Sequence, residues 1–133
     1  MTAAPRDPET LDRVREICSV AARAAWSKGG SDTVILSVGR VLAITDAFVI
    51  TSGTNNRMVR TIAEEIETKV KAASGRSPLS VEGLDDARWV LMDYGDFVVH
   101  TFLDEAREFY QLDRLWGDGE RWEWQSTAEE ALA

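Results

Sequence analysis

Leu11, Val14, Cys18, Ala21 and Ala25 recur at alternating steps of three and four residues. That spacing returns each side chain to one side of a helix, so it predicts an amphipathic α-helix reaching about Lys28, where Gly29-Gly30 ends it. A second stripe, Val59, Ile62, Ile66 and Val70, predicts another helix over about Asn55 to Ala73. Thr54 or Asn55 can cap its start by accepting a bond from a free backbone N–H. Glu65 with Lys69 and Glu67 with Lys71 form outward i,i+4 pairs in the favourable order. The run Ser74-Gly75-Arg76-Ser77-Pro78 then breaks the helix.

Between and after these helices the period shortens. Thr33 to Val38 and Phe48 to Ser52 are short, apolar and β-branched, which predicts two buried strands. Leu79 to Glu82 reads as a short strand before Gly83. Arg88 to Met92 and Phe97 to Leu103 read as strong strands joined by Asp93-Tyr94-Gly95-Asp96, a hairpin connection with glycine free to take positive φ. Leu103 to Tyr110 reads as a last helix and Leu112 to Trp116 as a short closing segment. The order predicts an α/β fold: a mixed β-sheet of about five strands flanked by helices, with an antiparallel pair at the end and a helical crossover before it.

Residues 1–8 hold two of the three prolines and read as a flexible lead-in, leaving 9–116 as the folded domain. The remainder, 117–133, carries five acids and one base. That is half of the net charge of −8, so the domain itself is only mildly acidic. The segment reads as a flexible tail in which Trp122 and Trp124 cover a local apolar patch, with a contact element as the alternative. The overall sign disfavours direct binding to nucleic-acid phosphate and suits a basic protein partner. No apolar run is long enough to span a bilayer, and no basic stretch leads into an apolar one at the start, so no membrane association and no secretory signal are expected. The single cysteine excludes an internal disulfide and fits a cytoplasmic setting.

Reactive groups are sparse. One cysteine and one histidine cannot make a Cys/His zinc site. A Cys18–His100 dyad is disfavoured because Cys18 sits on the apolar helix stripe. Gly53-Thr54-Asn55-Asn56-Arg57 runs from a strand into a helix and could hold an anion, but it matches no phosphate-loop pattern and reads as a capped turn. Asp93 and Asp96 could share a Mg²⁺ ion, yet acids at a hairpin are ordinary turn formers. The chain is accordingly expected to be no enzyme, with no catalytic residue, no cofactor and no metal. The competing enzyme reading would use Asp93, Asp96 and the Gly53–Arg57 turn on a nucleotide.

Five ordered segments carry a family resemblance: Ile44-Thr45-Asp46; Ile50-Thr51-Ser52-Gly53-Thr54-Asn55-Asn56-Arg57; Val81-Glu82-Gly83; Trp89 through His100; and Glu105-Ala106-Arg107 on to Tyr110, Leu112, Leu115 and Trp116. Together they resemble the ribosomal silencing factor family, related to plant Iojap, over about residues 33–116. The resemblance implies a nucleotidyltransferase-like fold without the catalytic carboxylates. It also implies binding to the large ribosomal subunit through ribosomal protein number fourteen. A factor so placed blocks joining with the small subunit, represses translation and, in related members, aids late large-subunit assembly. Trp89, Tyr94, His100, Tyr110, Leu112 and Trp116 are the expected partner-binding residues, being aromatic or aliphatic anchors of the kind that dominate interfaces. A homodimer through the same half of the chain is a further expectation. Two features depart from the family pattern: Tyr94 stands where many members carry leucine, and the chain continues past Trp116.

Overall fold

Asp7 opens the first helix. Its carboxylate accepts the backbone N–H of Thr10 at 2.9 Å, and Pro8 occupies the first turn, where a missing N–H costs nothing. Helix α1 runs Pro8–Ser27 in the computed structural model, which describes residues 7–39, 45–110 and 120–124. Strands β1 (Ser31–Ser37) and β2 (Ala47–Gly53) follow, then α2 (Asn56–Ser74), β3 (Ser80–Glu82), β4 (Trp89–Asp93), β5 (Phe97–Leu103), α3 (Asp104–Tyr110) and β6 (Arg121–Trp122). Asn55 caps α2 through the Met58 N–H at 2.8 Å, and Gly75 ends it in the left-handed conformation.

Among the described residues six strands form one mixed sheet in the order β3-β4-β5-β2-β1-β6. Only β2 and β5 are parallel, and the chain between them carries α2 across the sheet. Every other neighbouring pair is antiparallel. The mixed α/β fold read from the sequence is thus present, with six strands among the described residues where about five were expected.

Side chains alternate between the two faces of each strand. Ile35, Val49, Val90, Met92, Phe97 and Val99 point to one face and are buried under α1 and α2. The inner stripe of α1 is largely alanine (Ala21, Ala22, Ala25), which lets that helix lie close to the sheet, while Ile62, Ile66 and Val70 fill the space under α2. Each fully buried aliphatic side chain contributes roughly 1.5–3 kcal/mol. The opposite face carries Leu36, Phe48, Ile50 and Phe102, packed with Ala106 of α3. Cys18 lies in the helix-side core, and burial pushes its thiol far above the ordinary range. The sheet separates it from His100, whose ring packs against Phe48 and Phe102 on the other face.

Residues 120–124 correct the expectation of a flexible tail. Ser37 donates its N–H to the carbonyl of Glu120 at 2.7 Å, and Arg121-Trp122 pairs with Leu36 and Ile35. Trp122 and Trp124 are only 6% and 8% exposed. The Arg15 guanidinium lies 5.4 Å from the centre of the Trp122 ring. The Trp124 indole donates to the Thr33 carbonyl at 3.1 Å, and Arg23 donates to the Trp124 carbonyl. The physical reason is an otherwise open β1 edge beside apolar surface on α1: two large rings cover that surface while their backbone satisfies the edge. Among the described residues no helix is long and apolar enough to cross a membrane.

Candidate functional site

The sheet face away from α1 and α2 is the one that α3 covers only in part. Strand alternation brings Trp89, Leu91 and Asp93 of β4 to this face, next to Val98, His100 and Phe102 of β5. Phe102 is fully buried, whereas Trp89, Leu91, Asp93 and Val98 keep part of their surface. The Trp89 ring stacks on Phe102 with centroids 5.0 Å apart and donates its indole N–H to Nδ1 of His100 at 3.0 Å. His100 is 4% exposed and meets the Phe48 ring edge-on at 4.6 Å. Burial among these rings lowers its pKa to about 4, so the imidazole is neutral at physiological pH. Because Nδ1 accepts from Trp89, the ring proton is assigned to Nε2. The register sets Glu82 beside Leu91 and Ser80 beside Asp93 on the same face, so two acids border the apolar strip on its β3 side.

Of the expected partner-binding residues, the structure brings Trp89 and His100 together. Tyr94 is corrected. It is 2% exposed, its ring stacks on Phe97 at 4.6 Å, and it belongs to the helix-side core. The turn explains why: the Tyr94 N–H bonds the Phe97 carbonyl at 2.9 Å, and Arg76 grips the Tyr94 carbonyl at 2.6 Å, which folds the ring inward. Burial raises its phenol pKa to about 12. Tyr110 closes α3, but its side chain, with Leu112 and Trp116, lies outside the described residues. Leu91 and Val98 were missed; they sit two residues from Trp89 and His100, so strand alternation could have found them.

The carboxylates of the competing enzyme reading already have partners. Asp93 Oδ1 accepts the Gly95 N–H at 2.8 Å, the expected role of a turn former. Asp96 takes a two-pronged bond from Arg76 at 2.7 and 3.1 Å, which raises the guanidinium pKa. This pair ties the end of α2 to the β4–β5 turn. At Gly53, a Cβ would crowd Met58, Val59 and Ile62, so the glycine lets α2 pack closely on β2. The face therefore offers part-exposed apolar area from Trp89, Leu91 and Val98, bordered by Glu82 and Asp93, an arrangement suited to holding another protein.

Residues 11–132 match the family described as ribosomal silencing factor during starvation. The ribosomal silencing factor RsfS of Bacillus subtilis is 38% identical over 104 residues, spanning 78% of this chain and 87% of that one. A mouse protein named mitochondrial assembly of ribosomal large subunit protein 1 is 34% identical over 87 residues, 64% of this chain and 38% of its own length. Among solved structures, a Chromobacterium violaceum protein superposes with a TM-score of 0.74 at 31% identity, covering 78% of this chain and 86% of that one. A Bacillus halodurans protein gives 0.64 at 34% identity, covering 83% and 95%.

Proposed function

This chain belongs to the ribosomal silencing factor family, and from that premise we propose that it binds the large ribosomal subunit and sterically prevents the small subunit from joining. The observation that carries the reading is the half-open face around Trp89 and His100, an aromatic and aliphatic strip bordered by Glu82 and Asp93. Such a strip supplies a desolvated centre, where interface energy concentrates. These acids and the charge of −8 favour encounter with a basic protein and disfavour stray contact with ribosomal RNA. Ribosomal protein number fourteen of the large subunit is the proposed partner, and Tyr110, Leu112 and Trp116 are proposed to extend the contact beyond Trp89 and His100.

The mechanism requires no bond chemistry. A folded body occupying the intersubunit side of the large subunit excludes the other subunit, so the free energy of docking must exceed that of joining at the working concentrations. A role in late large-subunit assembly uses the same docking, and the name of the mouse relative favours it. The test is subunit joining followed by light scattering. Adding the chain to large subunits before small ones should lower the joined fraction in proportion to occupancy. Unchanged joining at saturating chain would refute the steric mechanism.

A further inference from the structure

Resting on the docking face proposed above, we infer that the outer edge of β3 takes an added strand: an extended segment of the docked ribosomal protein in which basic and apolar side chains alternate. The two outer strands of the sheet differ. At the β1 end the chain supplies its own cover, since Arg121-Trp122 pairs with Leu36 and Ile35 and both Trp122 and Trp124 are buried. At the other end β3 pairs with β4 on one side, and Ser80, Val81 and Glu82 are all exposed. Hydrogen bonds in an antiparallel ladder alternate in direction, so β3 turns part of its backbone N–H and C=O groups away from β4. Such an edge is a template for a further strand.

Glu82 by itself would read as an ordinary charged guard on an edge. The apolar surface beside it does not fit that role: Leu79 is 76% exposed, Leu84 43% and Val81 36%. The backbone carrying these side chains is held firmly. Arg60 of α2 donates to the carbonyls of Leu84 and Asp85 at 3.0 and 2.6 Å, and Asn56 donates to that of Asp86 at 2.7 Å. A segment fixed in advance loses little freedom when a partner docks on it.

The chemistry of the occupant follows from the two faces of β3. Glu82 lies beside Leu91, and Leu91 beside His100, so β3 extends the docking face outward. An added strand places alternate side chains on each face. Those beside Ser80 and Glu82 share the face of Trp89 and Leu91 and meet the carboxylates of Glu82 and Asp93, with exposed Asp85 and Asp86 close in sequence. The basic groups of this region are Arg88 and Arg60, and Arg60 is engaged by the loop carbonyls. Lysine or arginine suits those positions. A side chain on the other face meets Val81, whose cross-strand neighbour Met92 belongs to the helix-side core, and there an apolar residue fits. A second copy of β3 would set like charges together, and a phosphate backbone would meet the same acids.

Hydrogen exchange resolved to single residues, on the chain alone and with purified large subunits, reads the pairing directly. The outward-facing amides of β3 are expected to slow about tenfold or more on binding. Two variants are measured by co-sedimentation with large subunits, with thermal melting as the check on folding. Val81→Pro removes an N–H and crowds the edge, and Glu82→Lys reverses the charge while keeping the backbone. Each is expected to bind about tenfold more weakly, and high salt should narrow the deficit of Glu82→Lys. Unprotected β3 amides in the complex, or Glu82→Lys binding like wild type at low salt, would overturn the inference; if binding is still lost in Trp89→Ala, the docking face stands without it. Protection of β3 that rises with chain concentration in the absence of ribosomes would make the occupant a second copy. Equal protection by protein-free large-subunit RNA would make it nucleic acid, and either result overturns the inference. Wild-type chain that fails to bind large subunits at all is a separate result, one that removes the docking reading and this inference with it.

Discussion

Replacing Trp122 by alanine separates a structural β6 from a flexible tail. The ring is 6% exposed, lies in the helix-side core and stands under the Arg15 guanidinium. A buried tryptophan cut to alanine costs about 3–5 kcal/mol in a well-enclosed core. The cation–π contact adds about 0.5–1 kcal/mol at an exposed arginine. Against this, β6 is two residues long and sits at the sheet edge, so it can peel away and limit the loss to what residues 120–124 contribute. The net expectation is about 2–3 kcal/mol, or roughly a 10 °C fall in Tm for a chain of this size. Urea unfolding of wild type and Trp122→Ala gives the difference directly, provided the two slopes agree. A loss below about 0.5 kcal/mol would show that the ring does not hold the fold and would refute the packed strand.

The pH dependence should carry the signature of His100, the chain's single histidine. Its pKa is about 4 in the folded protein against about 6.5 unfolded, so the unfolded chain takes up the proton first as pH falls. Stability from this group is intact above about pH 6.5 and declines toward pH 4 by about 3 kcal/mol, a slope that His100→Phe should remove in denaturant titrations at stepped pH. Gly83→Ala should cost about 2 kcal/mol or more by thermal melting, because φ is +88° and the new Cβ would overlap the Trp89 carbonyl; a neutral result would contradict that turn. Tyr94→Phe should be neutral or stabilising by up to about 1 kcal/mol, since the buried hydroxyl lacks a partner; a loss above about 1 kcal/mol would mean that it has one.

Both long helices and the β4–β5 hairpin were legible because their signals are local. The stripe from Val14 to Ala25, the Asn55 cap, and the Gly95 turn each need only a few neighbouring residues. Strand β6 was not legible. Glu120-Arg121-Trp122-Glu123-Trp124 is short and acidic, and what orders it is a distant edge at Ile35 and Leu36. Tyr94 was misjudged for the same reason: Arg76, eighteen residues earlier, pulls the turn inward. Trp89 and His100 were correctly placed on neighbouring strands, but their indole–imidazole bond depends on the register that sets Leu91 against His100. A pattern of apolar residues fixes which face a side chain joins more readily than which neighbour it meets.

Docking on the large subunit through the Trp89 face is tested by co-sedimentation of the purified chain with separated large and small ribosomal subunits, wild type beside Trp89→Ala. The variant's fold is checked by thermal melting. Saturable binding to the large subunit alone is expected, weakened about tenfold or more when the Trp89 ring is removed from an otherwise folded chain. Equal binding to both subunits, binding to neither, or large-subunit binding indifferent to Trp89 would contradict it.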